Sequence, residues 1–283
     1  MTTFSASYLE IEPRELVRHL LRSTSQCDRD CVNVRELLDF LKLDYLSFSF
    51  AAELPDEAKR SLMGATPRAL LSCADRLIAT DDSLDESRAR FSVLHEIGHY
   101  VLPNHEHALY LCDDIGLTYA TRLMMEKEAN ELAADLLFLG DRFSAEANAR
   151  PINAATVKQL AARYQASFEA TARRLVEKNF RPCLLVSFKQ EDQRKIIDVD
   201  ATASWVVRYC VASAIFKTTY FEKVTGKAPR EAVAAVTQPG RDIANGYVCE
   251  IGIPILPGSE PKQFHAEFFF NRYNVFCLLM PSK

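Results

Sequence analysis

The sequence predicts an α+β protein, with helices in its first part and an antiparallel sheet in its last part. Over the first 180 residues, apolar side chains recur mostly at the spacing of helix turns. After Pro182 the pattern changes to short runs rich in Val, Ile and Phe, which are typical of strands. Five of the nine glycines lie between positions 226 and 258, where the turns of such a sheet are needed.

The chain has 283 residues, a length that suggests about two domains. Pro151 and Asn153 mark one boundary, and Pro182 marks a second. We therefore expect three parts: a mostly helical domain over 1–150, a helix-turn-helix-like module over 151–180 and an antiparallel α+β domain over 181–283.

Residue periodicity predicts the individual elements within these parts. We expect Asn33 and Ser167 to cap the helices that follow them, because both side chains accept hydrogen bonds from free backbone N–H groups. The predicted helices are 11–22, 34–41, 86–102, 123–137, 154–164, 168–178 and a region around 205–216. The predicted strands are 45–50, 76–80, 183–188, 195–199, 246–253, 265–270 and 275–280.

Composition excludes several classes of protein. The apolar share of 48% and net charge of −4 exclude global disorder, and the mild acidity argues against a chain devoted as a whole to nucleic acid. The best apolar run, 205–216, is too short to span a membrane, and the N-terminus lacks the features of a secretory signal, so we expect a cytoplasmic protein. Among the eight cysteines, only Cys27 and Cys31 are close, and with no second pair we expect reduced thiols.

The motif that carries chemistry is His95-Glu96-Ile97-Gly98-His99, an H-E-x-x-H sequence. Residues four apart share a helix face, so both imidazoles can reach one metal ion while Glu96 lies beside the open position. The stripe of side chains around the motif places both histidines on the buried face of the helix. Gly98 on this stripe allows a neighbouring backbone to approach closely.

A zinc site of this type needs a third protein ligand. The downstream segment MMEKEANELAADLLF offers four carboxylates, and helical periodicity separates them. Glu126 lies on the small and apolar face and is the better ligand candidate, with Asn130 one turn later able to orient a ligating histidine. The others, Glu128, Glu131 and Asp135, are expected on the solvated face.

The segments RFSVLHEIGHYVL and MEKEANELAADLL resemble the ImmA/IrrE family of zincin-like metallopeptidases. The resemblance is specific over residues 76–140 and looser over 151–180. It implies a zincin-like metallopeptidase domain in 1–150, and, by element order and length, a C-terminal domain similar to GAF domains in 181–283. One departure is the ending of the second helix, Leu136-Leu137-Phe138-Leu139 in place of Leu-Leu-Met-Pro, which touches no ligand.

The resemblance also implies the roles of the site residues. His95, His99 and Glu126 would bind zinc and Glu96 would be the catalytic base of an endopeptidase, although sites of this composition also accept manganese and other divalent ions. Members of the family cleave helix-turn-helix repressors to switch on a mobile element or a damage response. The resemblance therefore implies a repressor as the protein substrate here. Tyr100, His105, His107 and Tyr119 are near enough in sequence to be candidate oxyanion donors.

Two alternatives remain open at this stage. Residues 151–181 carry six Lys or Arg against two Glu, a net charge of +4 that favours weak contact with DNA phosphates. Alternatively, the metallopeptidase fold belongs to a regulatory sensor or a DNA- or repressor-binding protein with little catalysis. In that case the aromatic side chains of 181–283 line a site for a small molecule or protein, whereas the plainer interpretation is that they form the core. This aromatic set comprises Trp205, Tyr209, Phe216, Phe221 and Phe268–Phe270.

Overall fold

The computed structural model describes residues 12–54, 67–103, 105, 119–191, 204–221, 224–254 and 260–282. The chain divides into two compact units, residues 1–143 and 144–283. Both units combine helices with a sheet, as the predicted α+β class requires. No helix within these described ranges has the length and hydrophobicity needed to cross a membrane.

The first unit surrounds a three-stranded sheet with helices. Strand β1 pairs in parallel with the central strand β3, and β2 pairs antiparallel with the other side of β3. The elements are α1 Pro13–Ser23, α2 Val34–Leu41, β1 Asp44–Phe48, α3 Phe50–Glu53, β2 Ala69–Ser72, β3 Leu77–Asp81, α4 Glu86–Val101 and α5 Tyr119–Leu137.

Capping residues set where these elements begin. The Asn33 side chain accepts a hydrogen bond from the Glu36 N–H, which confirms the predicted start of α2. The predicted strand 45–50 is wrong at its end, because Ser49 accepts from the Ala52 N–H and so starts helix α3 at Phe50.

The second unit contains a five-stranded sheet in the order β5-β4-β8-β7-β6, with every neighbouring pair antiparallel. The unit boundary falls within helix α6, Asp141–Asn148. The elements that follow are α7 Ala154–Tyr164, α8 Phe168–Glu177, β4 Leu184–Gln190, β5 Trp205–Ala212, α9 Ala214–Thr219, α10 Arg230–Val236, β6 Tyr247–Pro254, β7 Pro261–Phe270 and β8 Val275–Pro281.

One predicted helix of this unit is wrong. The region 205–216 forms strand β5 over its first eight residues, and the helix α9 begins only at Ala214, where Ser213 accepts from the Phe216 N–H. The β-branched and aromatic side chains of this segment favour a strand, and pairing along β4 supplies the hydrogen bonds that a helix would otherwise provide. The predicted strand 195–199 lies outside the described residues.

The helical module predicted at 151–180 forms two helices at the expected positions. Ser167 accepts from the Ala170 N–H at 3.1 Å, which confirms its predicted cap. Asn153, predicted only as part of a boundary, caps the first helix by accepting from the Thr156 N–H at 2.8 Å. The turn between the helices contains no glycine, and Gln165 takes the left-handed backbone conformation there, with φ of 50°. Both helices lie in the unit that contains the five-stranded sheet, while the three-part division of the chain remains a prediction.

Buried Glu267 in β7 gives the stability of the second unit a pH dependence. Its carboxylate accepts a hydrogen bond from the Ala154 N–H at 3.1 Å, but burial raises its pKa above the ordinary 4.5. The folded protein therefore holds this proton more tightly than the unfolded chain does. The free energy of unfolding should therefore decrease as the pH rises from 4.5 through the raised pKa of Glu267.

We expect the variant Glu267→Gln to remove this pH dependence, because the amide oxygen still accepts from Ala154 and carries no charge. Relative to the parent, the variant should gain stability between pH 4.5 and neutrality in urea unfolding. Exposed Glu260, changed in the same way, is the control. Parallel stability curves for parent and Glu267→Gln across this range would contradict the assignment.

Candidate metal centre

Helix α4 places the two histidines of the motif on one face. The helix begins after Asp85, whose carboxylate accepts from the Arg88 N–H at 3.0 Å. It ends at Val101, because Pro103 favours an extended backbone at Leu102. His99 is buried, which confirms the predicted buried face at this residue, while His95 is half-buried at the edge of that face.

Gly98 sets how closely helix α5 approaches α4. A Cβ atom added at Gly98 would lie 3.1 Å from the carbonyl oxygen of Ala129 and 3.2 Å from its Cα. The close approach predicted at this glycine is therefore present, and the partner is the backbone of α5. Since Glu126 lies one helical turn before Ala129, the contact brings its carboxylate to the histidines.

The side chains of His95, His99 and Glu126 converge on one point. The two Nε2 atoms lie 3.1 Å apart, and the Glu126 carboxylate oxygens lie 3.3 Å from Nε2 of His95 and 3.4 Å from Nε2 of His99. Ligands held about 2.0–2.1 Å from a tetrahedral zinc ion stand roughly 3.3 Å from one another. The three separations fit such an ion, and this is the one group of three potential metal ligands found among the described residues.

The Glu126 carboxylate is 56% exposed, which leaves the centre accessible from solvent on one side. Contact with the imidazoles of His95 and His99 holds the pKa of Glu126 far below its ordinary value, so it stays ionised. Burial acts to lower the pKa of His95, but hydrogen bonding to Glu126 and the charge of Glu96 outweigh it and raise that pKa. The site therefore concentrates negative charge beside two imidazoles, as a cation site requires.

Glu96 lies in a different environment from Glu126. Burial raises the pKa of its carboxyl above the ordinary value, against the opposing influence of His95 and His99. A carboxylate in such surroundings accepts a proton more readily than an exposed one does, and this is the property that a general base needs.

Asn130 lies close to the ligands, where its side-chain amide donates to the Glu126 carbonyl at 2.7 Å. Its predicted role in orienting a ligating histidine stays a prediction. Of the candidate oxyanion donors, Tyr100 is half-buried on α4, and His107 and the Tyr119 side chain lie outside the described positions. His105 is the fourth candidate, and both of its ring nitrogens are engaged elsewhere.

Sequence reasoning missed a hydrogen-bonded pair behind His99. Nδ1 of buried His105 lies 3.1 Å from Nδ1 of His99, and Nε2 of His105 lies 3.0 Å from the Glu128 carboxylate. Helical periodicity placed Glu128 on the solvated face, and its side chain is indeed 44% exposed, but it also contacts a buried imidazole that the sequence did not indicate. Exposed Glu131 pairs with Lys127 instead, as a surface residue should.

Several of the positive charges of 151–181 are engaged within the second unit. Lys158 pairs with Asp242, Arg163 pairs with Glu146, and Arg174 is buried. The start of α8, where a recognition helix would read bases, faces the sheet. Phe168 contacts Phe269 edge-to-face, Glu169 accepts from the Tyr209 hydroxyl and Thr171 is buried. These contacts argue for a structural module and against base readout.

Most of the aromatic side chains considered for a ligand site form the core of the second unit. Trp205, Phe216 and Phe268 are buried in one cluster beneath the sheet, and Phe221 packs against the same cluster. The ring of Phe216 contacts those of Phe221 and Phe264 at centroid distances of 5.1 and 5.8 Å. Tyr209 differs, because its hydroxyl binds Glu169 of helix α8.

Comparison with known proteins identifies the region that carries this site. Residues 51–176 match a peptidase family described as an IrrE N-terminal-like domain. This part of the chain is similar to the ImmA/IrrE family. The matched ImmA/IrrE-type region includes α4, α5 and both helices of the 151–180 module.

Two further comparisons bear on the ImmA/IrrE assignment. A solved structure of a Mycobacterium tuberculosis transcriptional regulator aligns with a TM-score of 0.56 and 13% identity, covering 98% of this chain and 78% of that one. At this identity the likeness shows a shared fold. No curated protein matches the sequence. The chain thus combines an ImmA/IrrE-type peptidase region with a C-terminal sheet domain in a mixed α+β architecture.

Proposed function

We propose that this protein is a zinc-dependent endopeptidase that cleaves a helix-turn-helix transcriptional repressor. The observation that carries the proposal is the convergence of His95, His99 and Glu126, with donor atoms 3.1–3.4 Å apart, beside the half-buried Glu96. Two imidazoles and one carboxylate are the donor set of catalytic zinc sites that keep an open position. Manganese is the alternative ion, since the same donors accept it.

In this proposal each residue has one task. His95, His99 and Glu126 hold the ion, which when bound lowers the pKa of a water that it holds and polarises the scissile carbonyl. Glu96 takes the proton from the attacking water and delivers it to the leaving amine. Burial supports this role, because it raises the affinity of the Glu96 carboxylate for a proton.

Similarity of residues 51–176 to the ImmA/IrrE family supports a repressor as substrate, and the likeness to a transcriptional regulator is in keeping with a role in gene control. The proposed enzyme acts in the cytoplasm, where a DNA-bound repressor is found, and its cut derepresses a stress-response or mobile-element regulon. We further propose a peptidase domain over 1–150, a docking module over 151–180 and a GAF-like regulatory domain over 181–283.

The test is incubation of the purified full-length protein with the helix-turn-helix repressor encoded at the neighbouring locus. We expect cleavage with zinc or manganese, loss of cleavage after chelation, and recovery when the ion returns. Mass spectrometry of the fragments gives the cut position. A protein that binds zinc at this site, yet cuts neither the repressor nor a peptide library with either ion, would contradict the proposed activity.

The second candidate function is a sensor or a repressor-binding protein with the same fold and little catalysis. It predicts that the repressor is bound without being cut, or that a ligand of residues 181–283 changes the melting temperature of the full chain. The intact set of His95, Glu96, His99 and Glu126 favours the enzyme, because a site that had lost its chemistry would not need all four side chains.

A further inference from the structure

Behind the proposed metal centre, three side chains form a hydrogen-bonded row. The Glu128 carboxylate contacts Nε2 of His105 at 3.0 Å, and Nδ1 of His105 contacts Nδ1 of His99 at 3.1 Å. Nε2 of His99 then faces His95 and Glu126. His105 is almost fully buried, while Glu128 lies partly in solvent at the outer end of the row.

The chemistry of the outer end fixes the direction of every hydrogen bond in the row. An ionised carboxylate only accepts, so Nε2 of His105 donates to Glu128. A neutral imidazole that donates through Nε2 accepts through Nδ1, so Nδ1 of His99 donates to His105. A neutral His99 then carries its proton on Nδ1, and its Nε2 presents a lone pair to the other two ligands.

This arrangement has a consequence for the ion. Nε2 of His99 lies 3.4 Å from an ionised Glu126 oxygen and 3.1 Å from the second imidazole nitrogen. A lone pair held against a carboxylate is unfavourable unless a cation lies between them. Fixing the tautomer of a ligating histidine from behind is also what gives a metal ligand its orientation and basicity.

We propose that His105 and Glu128 are positioning residues that hold His99 in its metal-binding tautomer and ring orientation. The inference rests on the proposed function, because it assumes that His95, His99 and Glu126 bind an ion. It assigns a task to two residues outside the H-E-x-x-H motif and the third-ligand position. It also gives α5 two tasks, since Glu126 binds the ion directly while Glu128 acts through His105.

The most informative variants change hydrogen bonding at His105 with little change in side-chain volume. In His105→Gln the amide oxygen accepts from His99 and the amide nitrogen donates to Glu128, so both contacts are kept. In His105→Met, a side chain of similar length fills the same space and supplies neither contact. Glu128→Leu removes the carboxylate that accepts from His105, at a partly exposed position. Glu131→Leu on the same helix is its control.

The experiment measures the zinc dissociation constant of each full-length variant by competition with a chelator, and the visible spectrum of the cobalt-substituted protein. We expect His105→Met and Glu128→Leu to weaken zinc binding by roughly 10- to 100-fold and to alter the cobalt bands. His105→Gln and Glu131→Leu should stay near the parent in both readouts. The melting temperature of each metal-free variant shows whether it is folded. If His105→Met does not fold, Glu128→Leu tests the inference in its place.

The outcomes separate this inference from the proposed function. If the parent binds no zinc or manganese, the proposed function fails and the inference fails with it. If the parent binds zinc and His105→Met binds it equally well with the same cobalt spectrum, only the inference fails. Equal weakening in His105→Gln and His105→Met would also overturn it, because packing rather than hydrogen bonding would then be responsible.

Discussion

Glu96→Gln should abolish cleavage while leaving the ion in place. The glutamine has nearly the same shape as Glu96 but cannot take a proton from water, and a positioned general base typically contributes about 10²- to 10⁴-fold to a rate. We therefore expect kcat on the repressor substrate to decrease by at least about 10²-fold. Zinc affinity should stay close to that of the parent, because Glu96 is not one of the three converging ligands.

The matched control for this variant is Glu86→Gln. Glu86 lies on the same helix α4, but in its exposed first turn, so its loss should leave the rate unchanged. Cleavage rates under saturating substrate, measured beside zinc content, separate a loss of catalysis from a loss of metal. A Glu96→Gln protein that cuts as fast as the parent would show that the base is elsewhere.

Gly98→Val should destabilise the protein and weaken metal binding together. The valine side chain would press on the Ala129 backbone, where a Cβ alone already lies 3.1 Å from the carbonyl oxygen. Overpacking of this kind typically costs about 1–3 kcal/mol of unfolding free energy. Moving α5 away from α4 also moves Glu126 away from His95 and His99, so zinc affinity should decrease in the same variant.

The control for the glycine variant is Arg88→Val, on the exposed side of α4. It places the same β-branched residue in the same helix without the contact to α5, so it should cost no more than about 0.7 kcal/mol. Urea unfolding of the metal-free proteins gives both free energies. Equal losses in the two variants would mean that helix propensity, and not the close approach of α5, explains the effect of Gly98→Val.

Features set by neighbouring residues were predictable from the sequence. The predicted caps at Asn33 and Ser167 each depend on a hydrogen bond from a backbone N–H three residues later. The two histidines of α4 were predictable as well, because residues four apart lie on the same face of a helix. Glu126 was selected by the same reasoning, and the structure brings it to the histidines.

Features set by distant contacts were not predictable in this way. Strand β5 owes its conformation to pairing with β4, and the residues of 205–212 taken alone also fit a helical pattern. His105 follows the end of α4 at Pro103, where no periodic pattern indicates its direction. The contact of Glu128 with His105 was not predicted, because helical periodicity gives the position of the Cβ atom on the helix surface. It does not give the position of the carboxylate at the end of a flexible side chain.

Helix α5 carries both Glu126 and Glu128, one contacting Nε2 of His99 directly and the other contacting its far side through His105. A roll of this single helix about its long axis displaces both carboxylates in the same movement. The direct contact with Nε2 of His99 and the support of its far side therefore change together and not independently.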